Sequence, residues 1–425
     1  MDQAAHALRL LMMHDKQGKY LLIVPADLEL QPDLLEAATG RKLVAIAPAA
    51  LQRYFRQPGM RRAAGQAKLF ASLPSYADTR VIAEDAVLIE ATTGMLIDID
   101  LTQTYLEQIP KANLGKTLAA DADMPRVPNQ QVESVIYQHT QKRIGDRIEE
   151  TFAIPTLSPT TQKLLDLRSN PDAGVEQLVP IVSSDPSLSA QVVAWANSPM
   201  FAAPGRAKSI EDAVVRILGY DLVLNLSISM LLGSELKFDL KGPRGAVPFW
   251  MRALATARLT EMLARQMPVT RRPAIGLVYL TGLLHNFGTL LLAHLFSPQY
   301  TKLCRTIELN PHIEQWRLEQ SLLGVDSAQL AAWLFEHWSL PHALVDAVRW
   351  QFQPEAAPNK SPLAMLICLS SRLLREQGLS DGPVEALPEG MSELLGLRYP
   401  QIEEAVSQFE TIREDLEETV SQLNN

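Results

Sequence analysis

The most apolar long stretch of this chain, from Gly276 to Phe296, constrains its fold more than any other segment. It is long enough to cross a bilayer. His285, Asn286, Gly288 and His294 fall inside it, however, and each is unfavourable in lipid. A helix that is apolar nearly all round, yet carries imidazoles and an amide, belongs at the centre of a protein bundle. Val223 to Leu232 has the same character and is expected to be a second buried helix.

At 425 residues the chain exceeds one ordinary core, so two or three domains are expected. Its 47% apolar content is that of a folded globular protein. A formal charge of -9 argues against broad nucleic-acid binding, which needs clustered Lys and Arg. Cys304 and Cys368 are the only two cysteines, too few for a disulfide framework or a thiolate metal cage. That usage fits a reducing cytoplasm. Asp2 and His6, with no basic segment and no long apolar run after it, give no sign of a signal peptide.

The pattern changes along the chain. Leu8–Met13 and Tyr20–Val24 are apolar runs separated by Asp15-Lys16-Gln17-Gly18, which predicts a hairpin closed by Pro25. Asp33–Ala38 predicts a helix stopped by Gly40, Leu43–Ile46 a strand, and Val87–Glu90 with Met95–Ile99 a second hairpin around Thr92-Thr93-Gly94. This is a small α/β unit over residues 1–108. Residues 109–142, with Pro110, Pro125 and Pro128, read as a linker passing into a helix from Gln130 to about Phe152. From Ile154 the pattern is helical. Asp185-Pro186 and Ser209-Ile210-Glu211-Asp212 are helix starts, and Gly219 is a stop. Ile402, Phe409, Leu416 and Leu423 recur at heptad spacing in a final helix from Pro400. This seam either caps its own domain or pairs two chains as a coiled coil, and Arg413 interrupts it.

The helical part carries Ile154-Pro155-Thr156-Leu157-Ser158-Pro159, Ser184-Asp185-Pro186-Ser187-Leu188, Ala196-Asn197-Ser198-Pro199, Ile217-Leu218-Gly219, Gly282-Leu283-Leu284-His285-Asn286-Phe287-Gly288 and Trp338-Ser339-Leu340-Pro341. In order and spacing these resemble the HD-related output domain, HDOD, over residues 143–352. Residues 353–425 are then helices completing the bundle. The resemblance implies an all-α bacterial signalling module related to HD-type metal phosphohydrolases, with context in two-component or cyclic-dinucleotide pathways. An HD enzyme converges several His and Asp ligands on a metal that activates water. Here the His-Asp pair is His285-Asn286, and an amide lacks the anionic oxygen that a hard cation prefers. Where active relatives carry a His after a bundle Trp, this chain has Trp250-Met251-Arg252; Ser327 and Trp350-Gln351 replace further histidines. The resemblance therefore implies no metal, no cofactor and no catalytic residue in this half. His285 and Asn286 are expected to form a satisfied polar pair inside the bundle. A remnant nucleotide pocket is the competing reading, with Arg252 and Arg349 as phosphate contacts.

Leu10–Met13, Tyr20–Asp27 and Leu34–Leu43 resemble a truncated YbaK/ProX-type aminoacyl-tRNA editing domain. That resemblance implies a lysine orienting the ester. Its counterpart here is Arg9, a poor substitute because a guanidinium does not deprotonate. Independently of any family, no acidic residue occurs between Glu36 and Asp78. Arg53, Arg56, Arg61, Arg62 and Lys68 accumulate there, a candidate anion-binding face or a solvated surface. The expected architecture is thus a multi-domain α and β chain, a small α/β domain followed by an all-α HDOD bundle. The expected function is non-catalytic regulation through a protein partner or a small ligand such as a cyclic dinucleotide. RNA and membrane are not expected as partners, and a homodimer through the last helix is left open. The alternatives are an HD-type phosphohydrolase or an aminoacyl-tRNA deacylase.

Overall fold

The structure, a computed structural model, describes residues 7–82, 87–98, 105–119, 129–144, 157–198, 207–235, 242–385, 387–388 and 390–423. Ile154 to Thr156, Pro199 to Gly205, Ile99 and the expected helix beyond Ile144 lie outside them.

The two apolar runs around Asp15–Gly18 form a hairpin. Strand β1 (Ala7–Asp15) pairs antiparallel with β2 (Gly18–Pro25) from Leu8↔Pro25 to Asp15↔Gly18. The Asp15 carboxylate accepts the Gln17 and Gly18 amides, and Gly18 turns at φ 134°, a setting that resists a Cβ. Short strands follow: β3 (Leu28–Leu30), β4 (Val44–Ala45), β5 (Ser75–Asp78), β6 (Val87–Glu90), β7 (Lys111–Ala112) and β8 (Gly115–Thr117). The order β4-β1-β2-β5-β7, with β6 parallel to β1, makes a six-stranded mixed sheet; β3 and β8 make a separate ladder.

One feature differs from expectation. The segment expected as linker from residue 109 contributes β7 and β8, strands too short to leave an alternating pattern in the sequence. The second hairpin forms as expected around Thr92-Thr93-Gly94: the Glu90 amide donates to the Met95 carbonyl and the Ile97 amide to the Leu88 carbonyl, both at 2.9 Å, about the Ile89↔Leu96 bridge, while β6 pairs with β1 along its other edge. The Glu90 carboxylate takes the Thr92 and Thr93 amides at 3.0 and 2.8 Å and turns the chain there.

Both faces of the sheet are covered, which is why its central strands read as unbroken apolar runs. Successive side chains alternate between faces. Leu8, Leu10, Met12, Leu21 and Ile23 pack on Leu51, Phe55 and Phe70, from the helices Pro48–Phe55 and Ala63–Ser72. Leu11, Met13, Leu22 and Val24 face Leu28, Leu35, Leu114 and Leu309. Leu309 ends the helix Ser297–Leu309 of the helical half, so this second core is shared between the two halves.

The helical half forms one continuous core from Leu118 to Val420. Its helix starts follow the sequence signals: the Asp185 carboxylate accepts the Leu188 amide at 3.0 Å, and Ser209 Oγ accepts the Asp212 amide at 3.0 Å. Gly219, at φ 83°, closes a π-helical turn over Ala213–Leu218. The apolar stretch 275–295 is 78% buried within the protein and breaks at His285–Asn286 into helices Ile275–Leu284 and Phe287–Leu295. Close approach needs glycine on either side of that break. A Cβ on Gly282 would collide with the Ala257 backbone of helix Phe249–Gln266, and one on Gly288 with the Ser327 carbonyl. The C-terminal helix is two helices, Tyr399–Thr411 and Arg413–Leu423, broken at Ile412. Ile402, Phe409 and Leu416 are buried in the chain's own core, as expected of a seam that caps its own domain.

Candidate functional site

The break between the two apolar helices sets the site. His285 Nδ1 pairs with the Gly282 carbonyl oxygen at 2.7 Å, as a turn back onto its own helix. The neighbouring Asn286 Nδ2 donates to the Phe249 carbonyl oxygen at 3.1 Å, which fixes the amide with its Oδ1 on the other side. Gln351 Nε2 donates to the His285 carbonyl oxygen at 2.9 Å and to that of Val348 at 3.1 Å. Both side chains are bonded to backbone carbonyls and not to each other, and Asn286 Oδ1 is left buried without a partner, so the pair is not the fully satisfied one expected from the sequence. Burial, reinforced by the Arg252 charge and opposed by the Gly282 bond, brings the His285 pKa down to about 3. The imidazole stays neutral, and with Nδ1 donating, Nε2 is left as an acceptor.

A cavity of about 60 Å³ adjoins these side chains, walled by Arg252, His285, Asn286, Gln351, Arg372 and Arg375 among others. Its cations are tied to carboxylates. Arg252 Nη1 meets Asp381 Oδ2 at 2.6 Å, and its Nη2 donates to Thr289 Oγ1 at 3.3 Å. Arg375 forks onto both oxygens of Glu314 at 2.5 and 2.8 Å. Arg372 and, from strand β1, Arg9 approach Glu385 at 3.7 and 3.8 Å. Burial raises the Glu385 pKa, with Glu314 adding to it and the arginines opposing.

These placements sort the residues singled out above. Arg252, His285 and Asn286 come together on one cavity. Arg349 does not line it: its Nη2 reaches Glu336 at 2.5 Å and Asn129 at 3.5 Å. Arg9 is held at the junction of the two halves, where burial depresses its pKa against the opposing Glu385 charge. Arg53, Arg56, Arg61, Arg62 and Lys68 are exposed on or beside the helices Pro48–Phe55 and Ala63–Ser72, away from this cavity, and Arg56 donates to the Glu376 carbonyl. Arg372, Arg375, Glu314, Asp381 and Glu385 were not anticipated. The available signal was Arg372 and Arg375 one turn apart on Pro362–Glu376, a helix whose other positions are mostly buried and apolar.

The donor set does not suit a catalytic divalent metal. Among the described residues no three His, Cys, Asp or Glu side chains converge on one point. Here the donors beside the cavity are a neutral imidazole and an amide already bound to a carbonyl, and the carboxylates of the wall, Glu314 and Asp381, are engaged by Arg375 and Arg252.

Fold and site thus define a helical bundle with His285 and Asn286 at its central helix break, joined to an α/β unit. A model of the HDOD domain matches residues 154–354. A protein from Marinobacter aquaeolei VT8, provisionally assigned to signal transduction, is 31% identical; the likeness covers 100% of this chain and 95% of that one, at a TM-score of 0.82. Residues 154–354 of this chain are an HDOD domain, and the likeness to the Marinobacter protein runs through both halves. An HDOD protein of unknown function from Geobacter sulfurreducens is 20% identical over 68% of this chain and 99% of its own, at a TM-score of 0.53. A Shewanella amazonensis SB2B protein, provisionally assigned to the phosphohydrolases, is 21% identical over 68% and 98%, also at 0.53. A protein from Treponema pallidum (strain Nichols) is 24% identical over 261 residues, 61% of this chain, which spans about half (48%) of that relative's length.

Proposed function

We propose that this chain is a regulatory protein of bacterial signal transduction, in which the HDOD bundle binds a partner or small ligand and performs no hydrolysis. One observation carries the reading. Where an HD enzyme presents a carboxylate, Asn286 spends its amide on the Phe249 carbonyl, beside an imidazole kept neutral and an arginine wall. A water at this position gains no metal to lower its pKa and no carboxylate base within the pair. The signal-transduction assignment of the Marinobacter relative, which shares both halves, supports the regulatory part. Two buried free cysteines accord with action in the cytoplasm.

The N-terminal unit has a structural part in this reading. An editing enzyme needs its ester-orienting group open to an RNA end, whereas Arg9 faces Glu385 of the helical half. The test is hydrolysis of a generic phosphodiester and a phosphomonoester by the full chain, with added manganese or iron. No turnover above that of His285→Ala is expected; metal-dependent turnover lost in His285→Ala would overturn the reading.

A further inference from the structure

We propose that the junction of the two halves is a binding site for a small organic anion, its acidic head in the His285 cavity and its apolar body in a second cavity alongside. This rests on the non-hydrolytic reading above and names the ligand class for the same site. The second cavity, of about 150 Å³, shares Gln315, Arg375, Ser380 and Asp381 with the first. Its apolar lining comes from both halves, Ile46 and Pro48 on the α/β side and Val247, Ile307 and Ile313 on the helical side, with the Arg244–Glu308 ion pair also on its wall.

The charges choose the head. Arg252, Arg372 and Arg375 line the first cavity against Glu314 and Asp381, and the neutral His285 adds nothing. Behind the wall Arg9 is matched by Glu385, and Glu319 lies behind Ser327 and Gln315, so the cationic excess belongs to the lining itself. A guanidinium at such a site is best satisfied when an anion meets its unfilled donors. Three wall atoms also lie buried without a hydrogen-bond partner: Arg252 Nε and Arg375 Nε, both donors, and Asn286 Oδ1, an acceptor on a residue only 5% exposed. A carboxylate or phosphate accepts from the arginine donors, and a hydroxyl or N–H close to that head donates to Asn286 Oδ1.

Volume limits the class. Sixty cubic ångströms is room for roughly four waters, enough for a carboxylate or phosphate and too little for a pair of nucleotides. The body must then turn into the junction cavity, where it touches both halves at once. Occupancy therefore fastens the α/β unit to the bundle, which makes the junction itself the ligand-responsive element.

Calorimetric titration of the full chain in metal-free buffer tests this with 4-phenylbutyrate, phenyl phosphate, the neutral 4-phenylbutyramide and inorganic phosphate. Both aryl anions are expected to bind, and the amide on the order of tenfold or more weaker, the loss expected for a charge-assisted hydrogen bond. The ratio of carboxylate to phosphate affinity identifies the head. Ala246→Trp, which fills the apolar compartment from a half-buried turn, should weaken both aryl anions and spare inorganic phosphate. Equal binding of amide and carboxylate, no binding by either aryl anion, or indifference to Ala246→Trp would each overturn the proposal. Catalytic turnover is read separately by the metal-supplemented assay, so the two ideas fail on different measurements.

Discussion

Single residues in this bundle are held in states that solution chemistry would not give them. Glu319 is fully buried, and burial, with the Asp326 charge adding to it, lifts its pKa from 4.5 to about 7 against bonds from Ser327 and Gln315. A carboxyl whose folded pKa is raised is protonated more readily in the native state. Its contribution to stability is intact below about pH 4.5 and is lost as pH rises toward 7. Glu319→Gln, which keeps an acceptor for the Ser327 amide, should match the wild type near pH 4.5. It should exceed it by up to ~3 kcal/mol above pH 7 in denaturant titrations. Asn286→Asp exchanges the donor to the Phe249 carbonyl for a second acceptor. It should cost about 1–3 kcal/mol and still bring no metal-dependent turnover. The His285–Asn286 pair was legible from its motif, because a short signature specifies a local backbone break. The arginine wall was not, since Arg372 and Arg375 meet Glu385 and Glu314 only through tertiary packing.

At the level of elements, caps and periodicity foretold most of the helical half, and short or shared elements escaped. Asp185, Ser209 and Gly219 act within one turn of their own position, so sequence suffices to read them. Strands β7 and β8 run only two and three residues and exist because partner strands wait for them. The heptad seam was read correctly as apolar, but periodicity does not say which surface fills it, and here the chain's own bundle does. Helix Phe287–Leu295 approaches the helix Ser327–His337 closely over Gly288. Gly288→Ala drives a methyl into backbone that has nowhere to move. Thermal unfolding of that variant should show a loss of about 3 kcal/mol or more, beyond the helix propensity alanine gains.

Across the whole molecule, the two halves share a core and a set of backbone pairings. Asn310 bonds both the amide and the carbonyl of Leu30 at 2.7 and 3.3 Å, and His312 Nε2 donates to the Leu28 carbonyl at 2.8 Å, so side chains of the bundle complete strand β3. Asn310→Ala strands two buried backbone groups and should cost about 2–5 kcal/mol. It should also split a single unfolding transition into two, with circular dichroism and Trp fluorescence no longer coincident. Burial, with Arg9 and Arg317 adding to it, brings the His312 pKa from 6.5 to about 3 despite the Leu28 bond. A cationic group depressed in this way stabilises the fold fully above about pH 6.5 and loses that as pH falls. His312→Gln retains a donor for Leu28 and should reduce the acid-side loss by roughly 2 kcal/mol near pH 5.

Whether the bundle holds a catalytic ion at His285 separates a regulator from a hydrolase. The direct measurement is elemental analysis of the full chain after manganese or iron loading and exhaustive dialysis. The account predicts no metal retained in proportion to protein. One or two ions per chain, released by His285→Ala, would contradict it.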